Sequence, residues 1–534
     1  MDEAPVKAVT VTFTEGDRFC NCSPKCFAPC ILDPIFSGLG LDALFASAKH
    51  ASKLEYDLQG IVRLLTYGRI LSPASKAATM TQNDMYYMPL VKSGNDDNVY
   101  DALDVIYQYR NQIIRRMNTN ITRNVGRKTS TVFYDVTNFF FEIDEPDPDV
   151  EDDNGNVVEK GLRKMGVSKE NRQQPIVQMG LFLDDNGIPV SIETFPGNTL
   201  DHLTLRTALK NTVDTLELDR FILVADRGMY SGTNMCHVVN QGNGYIVSKS
   251  LRKSTKKERQ WTLEQDGYTV VSPEFKYKSR IVARTVTDED GTKKEIREKT
   301  VVYWSKSFYE RERHENKSFL DFMEKLKANP NGFRITAAHS KSLRRFMKKD
   351  VLDQSTGEVL DGKKLLAMID EEKLSEFNDL MGYYQIVSSE LDMEDREIID
   401  KYHELTRIED QFREMKGTLE TRPVYVRTPE HIHAHLMICF MALTMLRLIQ
   451  LKVKKSLPPV PDDKRNWTYS MPGKRVSEAL RSLVLDQISG QYYRLGNLDS
   501  EDLRCILAAM NIPIPQFLLT ACQIRSLKSS VVPF

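Results

Sequence analysis

The 534-residue sequence has no uninterrupted apolar run long enough to cross a bilayer. Its most apolar stretch, Leu436–Leu451, is short and carries Arg447, so a buried amphipathic helix accounts for it better than a membrane span. The amino-terminal MDEAPVKAVT has no apolar h-region, so no export signal is read there and a cytoplasmic location without a membrane partner is expected. Charge of one sign is not in excess: 73 Lys and Arg face 74 Asp and Glu, so global charge alone does not draw the chain to a polyanion. No internal repeat or low-complexity tract occurs, which excludes solenoids and compositional disorder. Cysteine is scarce at eight, and four of these crowd into CNCSPKCFAPC as Cys20, Cys22, Cys26 and Cys30. Disulfides are disfavoured without an export signal. Four thiolates could close a tetrahedron around zinc, but structural zinc normally uses paired knuckles separated by a longer loop. Reduced, incidental thiols are the favoured reading, with zinc left open.

What remains is a globular chain of about three domains by length, 41% hydrophobic and 28% charged. Its basic residues gather at Arg115–Lys128, Lys249–Arg259 (KSLRKSTKKER) and Ser340–Lys349, offset by the acidic block Asp144–Asp153. Any one cluster reads as a solvated face; several in one chain point to a phosphate backbone.

Residues 1–128 begin strand-like at Val6–Phe13. They then carry helical periodicity at Leu54–Tyr67 and Val99–Asn118, as expected of a helical region for DNA binding or assembly. From 129 to 250 the period changes. STVFY runs into Asp135; Pro175–Leu183 and Ile188–Thr194 flank the turn DDNG; Leu203–Leu216 is helical; FILVA runs into Asp226; Gly244–Ser248 is a further strand. Strands interleaved with helices predict an α/β fold with a mixed sheet. Residues 251–382 interrupt it with polar, alternating segments and helices at Ser318–Ala328 and Leu343–Asp350, an inserted and partly β domain. Residues 383–455 return to the sheet and then carry two long helices, Asp395–Leu419 and Glu430–Leu451. The linker PPVPDD leads into a helical tail within 456–534.

Cleaving a phosphodiester without a covalent intermediate requires activation of the attacking hydroxyl and stabilisation of the leaving oxyanion. Two magnesium ions about 3.5–4 Å apart, held by clustered carboxylates, do both. The pattern to seek is an acidic residue at each of two strand ends and a third brought in by a helix. Asp135 and Asp226 fill the first two places, and YHELTRIEDQFREMK holds candidates for the third in Glu404, Glu409 and Asp410. In a chain with 74 acidic residues such spacing alone decides little.

The wording around these positions is more specific. FYDVTNFFFE, ILVADRGMYS and Y-x6-E-x6-K, in that order, resemble the catalytic core of insertion-sequence DDE transposases of the cut-and-paste group with a Tyr/Arg/Glu/Lys signature. The resemblance spans about residues 120–450. It implies an RNase H-like core with a largely β insertion before the glutamate, and a bacterial or archaeal, DNA-associated protein. It implies a metal-binding triad of Asp135, Asp226 and Glu409 holding two Mg2+, with Mn2+ able to substitute. It implies that Tyr402 and Lys416 contact DNA phosphates, and that the chain acts as a homodimer on element ends and target. The signature arginine is missing: Leu405 stands in its place, and Arg407 lies about 200° around a helix from it. Arg227, beside Asp226, and Arg422 and Arg427, beyond the signature, are further candidates for DNA contact, and Gly228 is expected to permit a tight turn.

Three other readings stand beside this one: a non-catalytic DNA-binding descendant, an RNase H-like nuclease without strand transfer, and a zinc hydrolase built on His431, His433 and His435. The last lacks the HExxH pattern.

Overall fold

The computed structural model describes residues 23–167, 173–288, 290–330, 346, 366, 369–456, 471–489, 492–512 and 518–530. The strand expected at Val6–Phe13, Cys20, Cys22, all but Phe346 of the helix expected at Leu343–Asp350, and the linker Pro458–Asp463 lie outside them.

After a two-residue strand, β1 (Lys25–Cys26), six helices follow: α1 (Pro29–Gly38), α2 (Leu41–Ala51), α3 (Leu58–Leu71), α4 (Lys76–Thr81), α5 (Asp96–Gln108) and α6 (Arg110–Val125). The single helix expected over Val99–Asn118 is two, parted at Tyr109. Asn95 opens α5 with a reciprocal capping box to Asn98, and Asp57 caps α3 through the Gly60 N–H, so each start is fixed by a side-chain acceptor. Cys26 and Cys30 are buried in apolar surroundings, and burial pushes the Cys26 thiol up to about 11. That environment disfavours the thiolate a metal would need.

The main sheet begins with β2 (Thr131–Phe140). A small hairpin, β3 (Val150–Glu151) with β4 (Val157–Glu159), precedes β5 (Ile176–Leu183) and β6 (Pro189–Pro196). Then come α7 (Asp201–Leu216), β7 (Ile222–Ala225), α8 (Gly232–Asn240) and β8 (Gly244–Lys249). The β5–β6 turn is pinned by Asp184, whose carboxylate accepts the Asn186 and Ile188 N–H groups and pairs with buried Arg127 at 3.1 Å. The sheet order β6-β5-β2-β7-β8 sets β2, β7 and β8 parallel and β5 and β6 antiparallel, the mixed sheet of the expected RNase H-like fold.

The insertion holds α9 (Lys256–Leu263), β9 (Thr269–Ser272), β10 (Phe275–Thr287), β11 (Lys293–Ser305), α10 (Lys306–Glu315), α11 (Lys317–Ala328) and α12 (Glu371–Asp379). Its strands do not form a sheet of their own. Through β12 (Tyr383–Ser388), which pairs with β8 on one side and β11 on the other, they extend the main sheet to nine strands. An open β8 edge would leave a row of unpaired N–H and C=O groups, and β12 covers it.

The expected helix Asp395–Leu419 is also two, α13 (Asp395–His403) and α14 (Thr406–Lys416). Between them the N–H groups of Leu405, Arg407 and Ile408 each bond three residues back, a tightened turn that breaks the α register. The next helix, α15 (Pro429–Ser456), is apolar and long enough by composition to cross a membrane. The 18-residue window that meets this test is 89% buried against the N-terminal helices and the sheet. One continuous core therefore joins residues 26–121, one sheet face and α13–α15, so the N-terminal helices share the core of the sheet region. A second core lies under α7 and α8 on the other face.

The tail is not purely helical. Between α16 (Gly473–Ser482) and the helices α17 (Glu501–Ala509) and α18 (Ala521–Ser530) it holds β13 (Val484–Ser489), β14 (Tyr492–Leu495) and β15 (Leu518–Thr520). β13 pairs with β1, so a short amphipathic run becomes a strand because the other end of the chain completes its sheet.

Candidate active site

Side chains alternate across a strand, so Phe133, Asp135 and Phe139 leave β2 on one face while Tyr134 and Val136 leave on the other. Asp135 lies inside β2 rather than at its end. What stops there is the pairing with β7, whose last registered pair is Tyr134 with Ala225. The next residues along the two parallel strands are Asp135 and Asp226, side by side at a strand spacing of about 4.8 Å. Both point to the face covered by α13 and α14.

Asp226 is held in place. Its Oδ1 accepts the Ser248 hydroxyl and the Tyr402 hydroxyl, each at 3.2 Å. Since Tyr402 donates to Asp226, the Tyr384 hydroxyl donates to Tyr402 across 3.0 Å. Burial first, then the neighbouring Tyr384 and Asp226, hold the Tyr402 phenol far above its ordinary range, so it stays a donor. Tyr402 is therefore a buried partner of Asp226.

Glu409 lies in the first turn of α14, exposed, between Ile408 and Phe412, which are buried in the core beneath it. Among the described residues its carboxylate has no hydrogen bond or ion pair. The rival acids are engaged elsewhere: Glu404 pairs with Arg407 at 3.0 Å and Asp410 with Arg413 at 2.9 Å. Asp135, Asp226 and Glu409 line one cleft of about 910 Å³, with Tyr402 and Leu405; Glu404 and Asp410 do not. Among the described residues no three His, Cys, Asp or Glu side chains converge on a single ion position, so the three acids line one cleft without meeting at one point.

The opposite wall went unread in the sequence. It comes from the insertion and its junctions: Ser272 and Phe275 at the β9–β10 turn, Phe308 and Arg311 on α10, Tyr384 on β12 and Arg396 on α13. A chain of contacts runs from Arg311 over the Phe308 ring (4.8 Å), to Tyr384 edge-on (5.2 Å), to Tyr402 and Asp226. No local motif marks these residues, because the pairing of β12 with β11 brings them to the cleft.

The basic candidates fall in two places. Arg227 is exposed directly after Asp226, and among the described residues its guanidinium has no partner. Lys416 and Arg422 lie over the far half of β2, 5.7 Å from the Phe139 ring centre and 5.4 Å from that of Phe140. Arg407 does not take the place of the signature arginine. It donates to the Asp185 carbonyl, pairs with Glu404 and stacks over Phe133, away from the cleft. Gly228 does not have the positive φ that would require glycine. The histidines are scattered: His431 contacts Asp104, His433 stacks near Tyr107, and buried His435 lies between Lys76 and the Thr421 carbonyl. They form no metal set, which removes the structural basis of the zinc-hydrolase reading.

Residues 159–445 match the family described as Transposase DDE domain, more than half of the chain, and the chain belongs to that family. No curated protein matches it significantly in sequence. Among solved structures, the piggyBac transposase synaptic complex with hairpin DNA aligns over 90% of this chain and 86% of that one, at 8% identity and a TM-score of 0.34. That likeness is too distant to carry an argument.

Proposed function

We propose that this transposase-family chain cleaves DNA at the ends of a mobile element and joins them to target DNA, with Asp135, Asp226 and Glu409 as metal-binding catalytic residues. The carrying observation is the register of β2 on β7, which makes Asp135 and Asp226 neighbours on the face where α14 presents Glu409. Carboxylate oxygens are hard donors and suit Mg2+, with Mn2+ as substitute. When bound, two such ions would lower the pKa of the attacking hydroxyl and offset charge on the leaving oxygen.

The protein's own groups do the rest. Ser248 and Tyr402 orient Asp226, and Tyr402 keeps its proton throughout. Arg227 beside the aspartates, and Lys416 and Arg422 along β2, pair with backbone phosphates and fix the DNA in line with the acids. A homodimer, one subunit per element end, is the assembly that fits a reaction on two ends.

The test supplies purified protein with the DNA flanking its own coding sequence, both intact and precleaved to free 3′-hydroxyls, with a supercoiled target plasmid. Joined products in Mg2+ and none in EDTA are expected. Cleavage without joining would identify a nuclease, and joining that survives Asp135→Ala would remove the proposed site. Binding with neither activity would identify a non-catalytic descendant.

A further inference from the structure

The basic run KSLRKSTKKER folds into two sets of side chains. Lys249, Arg252, Lys256 and Arg259 are neutralised within the protein by Glu258, Glu312, Glu372 and Glu376, at 2.6 to 3.1 Å. Lys253 and Lys257 are exposed, and among the described residues they have no carboxylate partner. They face two arginines of β10. Arg280 is stacked on Trp261, its guanidinium carbon 4.0 Å from the ring centre, and its buried Nε has no hydrogen-bond partner among the described residues. Arg284 leans on Glu298 at 3.2 Å and Glu258 at 3.5 Å.

These residues and Lys249 line a groove of about 810 Å³ in which, among the described residues, Glu258 is the one carboxylate. Burial opposes ionisation of Glu258, but the Lys249 bond and the Thr255 N–H overcome it and hold the acid down to about 2, already engaged by cations. The surplus of positive charge is therefore open to an outside partner. Along one side runs the edge of β10, which past Tyr277 has no second strand partner among the described residues.

The location decides what kind of partner fits. Lys249 follows Ser248, the residue bonded to Asp226, and alternation sends it to the opposite face of the sheet. The groove thus begins on the face of the sheet opposite the one on which Ser248 meets Asp226. Arg280 and Arg284 are four residues apart on a strand, about 13 Å, the distance over which one strand of a duplex rises by roughly four phosphates along the helix axis. A stacked guanidinium is pre-organised for phosphate oxygens, and lysines on either side add charge without geometric demand.

We propose that this groove, formed by Lys253, Lys257, Arg280, Lys249 and Arg284, is a second DNA site that holds the backbone of duplex flanking the cleaved end. The proposal rests on the DNA-cleaving reading above, and the experiment separates the two. Binding of the full-length chain to a fluorescein-labelled 30-base-pair duplex is followed by anisotropy against KCl in EDTA, beside Mg2+-dependent end cleavage. Removing one phosphate-binding cation should flatten the slope of log K on log [KCl] by about 0.9, so K253A/K257A/R280A should flatten it by about 2.7. K253A/K257A, which touches only exposed side chains, should flatten it by about 1.8 and guards against misfolding around Trp261. The charge-keeping K253R/K257R should match wild type. A wild type that cleaves ends while both alanine variants keep its slope overturns the groove alone. A wild type that neither binds nor cleaves DNA overturns the DNA-cleaving reading as well. A slope change seen with double-stranded RNA and not with DNA overturns the proposed ligand.

Discussion

The Tyr402 hydroxyl reaches Asp226 at 3.2 Å while accepting from Tyr384 at 3.0 Å, tying the end of α13 to a strand-end carboxylate. A hydrogen bond to a charged acceptor contributes about 1.5–3 kcal/mol, roughly ten- to a hundredfold if all of it is expressed in rate. Tyr402→Phe keeps the ring packing and should lower end cleavage within that range at a near-constant melting temperature. Tyr384→Phe should cost less, and Y384F/Y402F should be no worse than Y402F alone, because the two hydroxyls act in series. Strictly additive effects would show that they act independently.

The triad makes a sharper demand. Asp135→Asn, Asp226→Asn and Glu409→Gln each remove a carboxylate proposed to hold metal, and several kcal/mol of missing stabilisation corresponds to on the order of a thousandfold in rate. Glu404→Gln and Asp410→Asn should stay within a few-fold of wild type, since both acids are paired outside the cleft. Single-turnover cleavage separates the groups. Full activity in Glu409→Gln with a defect in Asp410→Asn would reassign the third acid.

Arg447, fully buried in α15, bonds the side-chain carbonyls of Gln411 and Gln450 at 2.6 Å each and so braces α14 from below. Arg447→Ala leaves those acceptors dry and a cavity beside them, and should cost about 3–5 kcal/mol in chemical denaturation. Because Glu409 rides on α14, cleavage should fall even well below the unfolding transition. Reduced stability with unchanged cleavage would mean that the brace does not position the acid.

Lys76 is buried against His435, and burial, with Arg69 adding to it and Cys439 opposing, lowers its ammonium from 10.5 to about 7. Between those values the unfolded chain binds the extra proton. Lys76 therefore makes stability rise with pH across that window, by up to about 1.4 kcal/mol per unit. The contribution is complete above the unfolded pKa and is lost as pH falls through the folded one. Lys76→Met should raise the melting temperature relative to wild type most at pH 7 and below, with the gap narrowing toward pH 10. Parallel melting profiles would contradict the lowered pKa.

Much of this architecture is legible along the chain, because local spacing reports local geometry. FILVA running into Asp226 reads as a buried strand, and DDNG reads as the turn of the β5–β6 hairpin. The apolar stretch around Leu436–Leu451 reads as a core helix, and its arginine proves to be the buried brace Arg447. Asp135, Asp226 and Glu409, the acids of the proposed site, can be named from the sequence alone, the glutamate chiefly through its neighbours Tyr402 and Lys416. The break at Leu405 was hidden, since a turn bonded three residues back shifts the phase of a helix without interrupting its apolar pattern.

Strand neighbours are a different matter. Asp135 adjoins Asp226 because β2 pairs with β7, and the insertion walls the cleft because β12 covers the open edge of β8. These pairings join segments some ninety to one hundred and forty residues apart. Burial of both sheet faces and satisfaction of backbone edges select them, and neither condition is written in any local window of sequence.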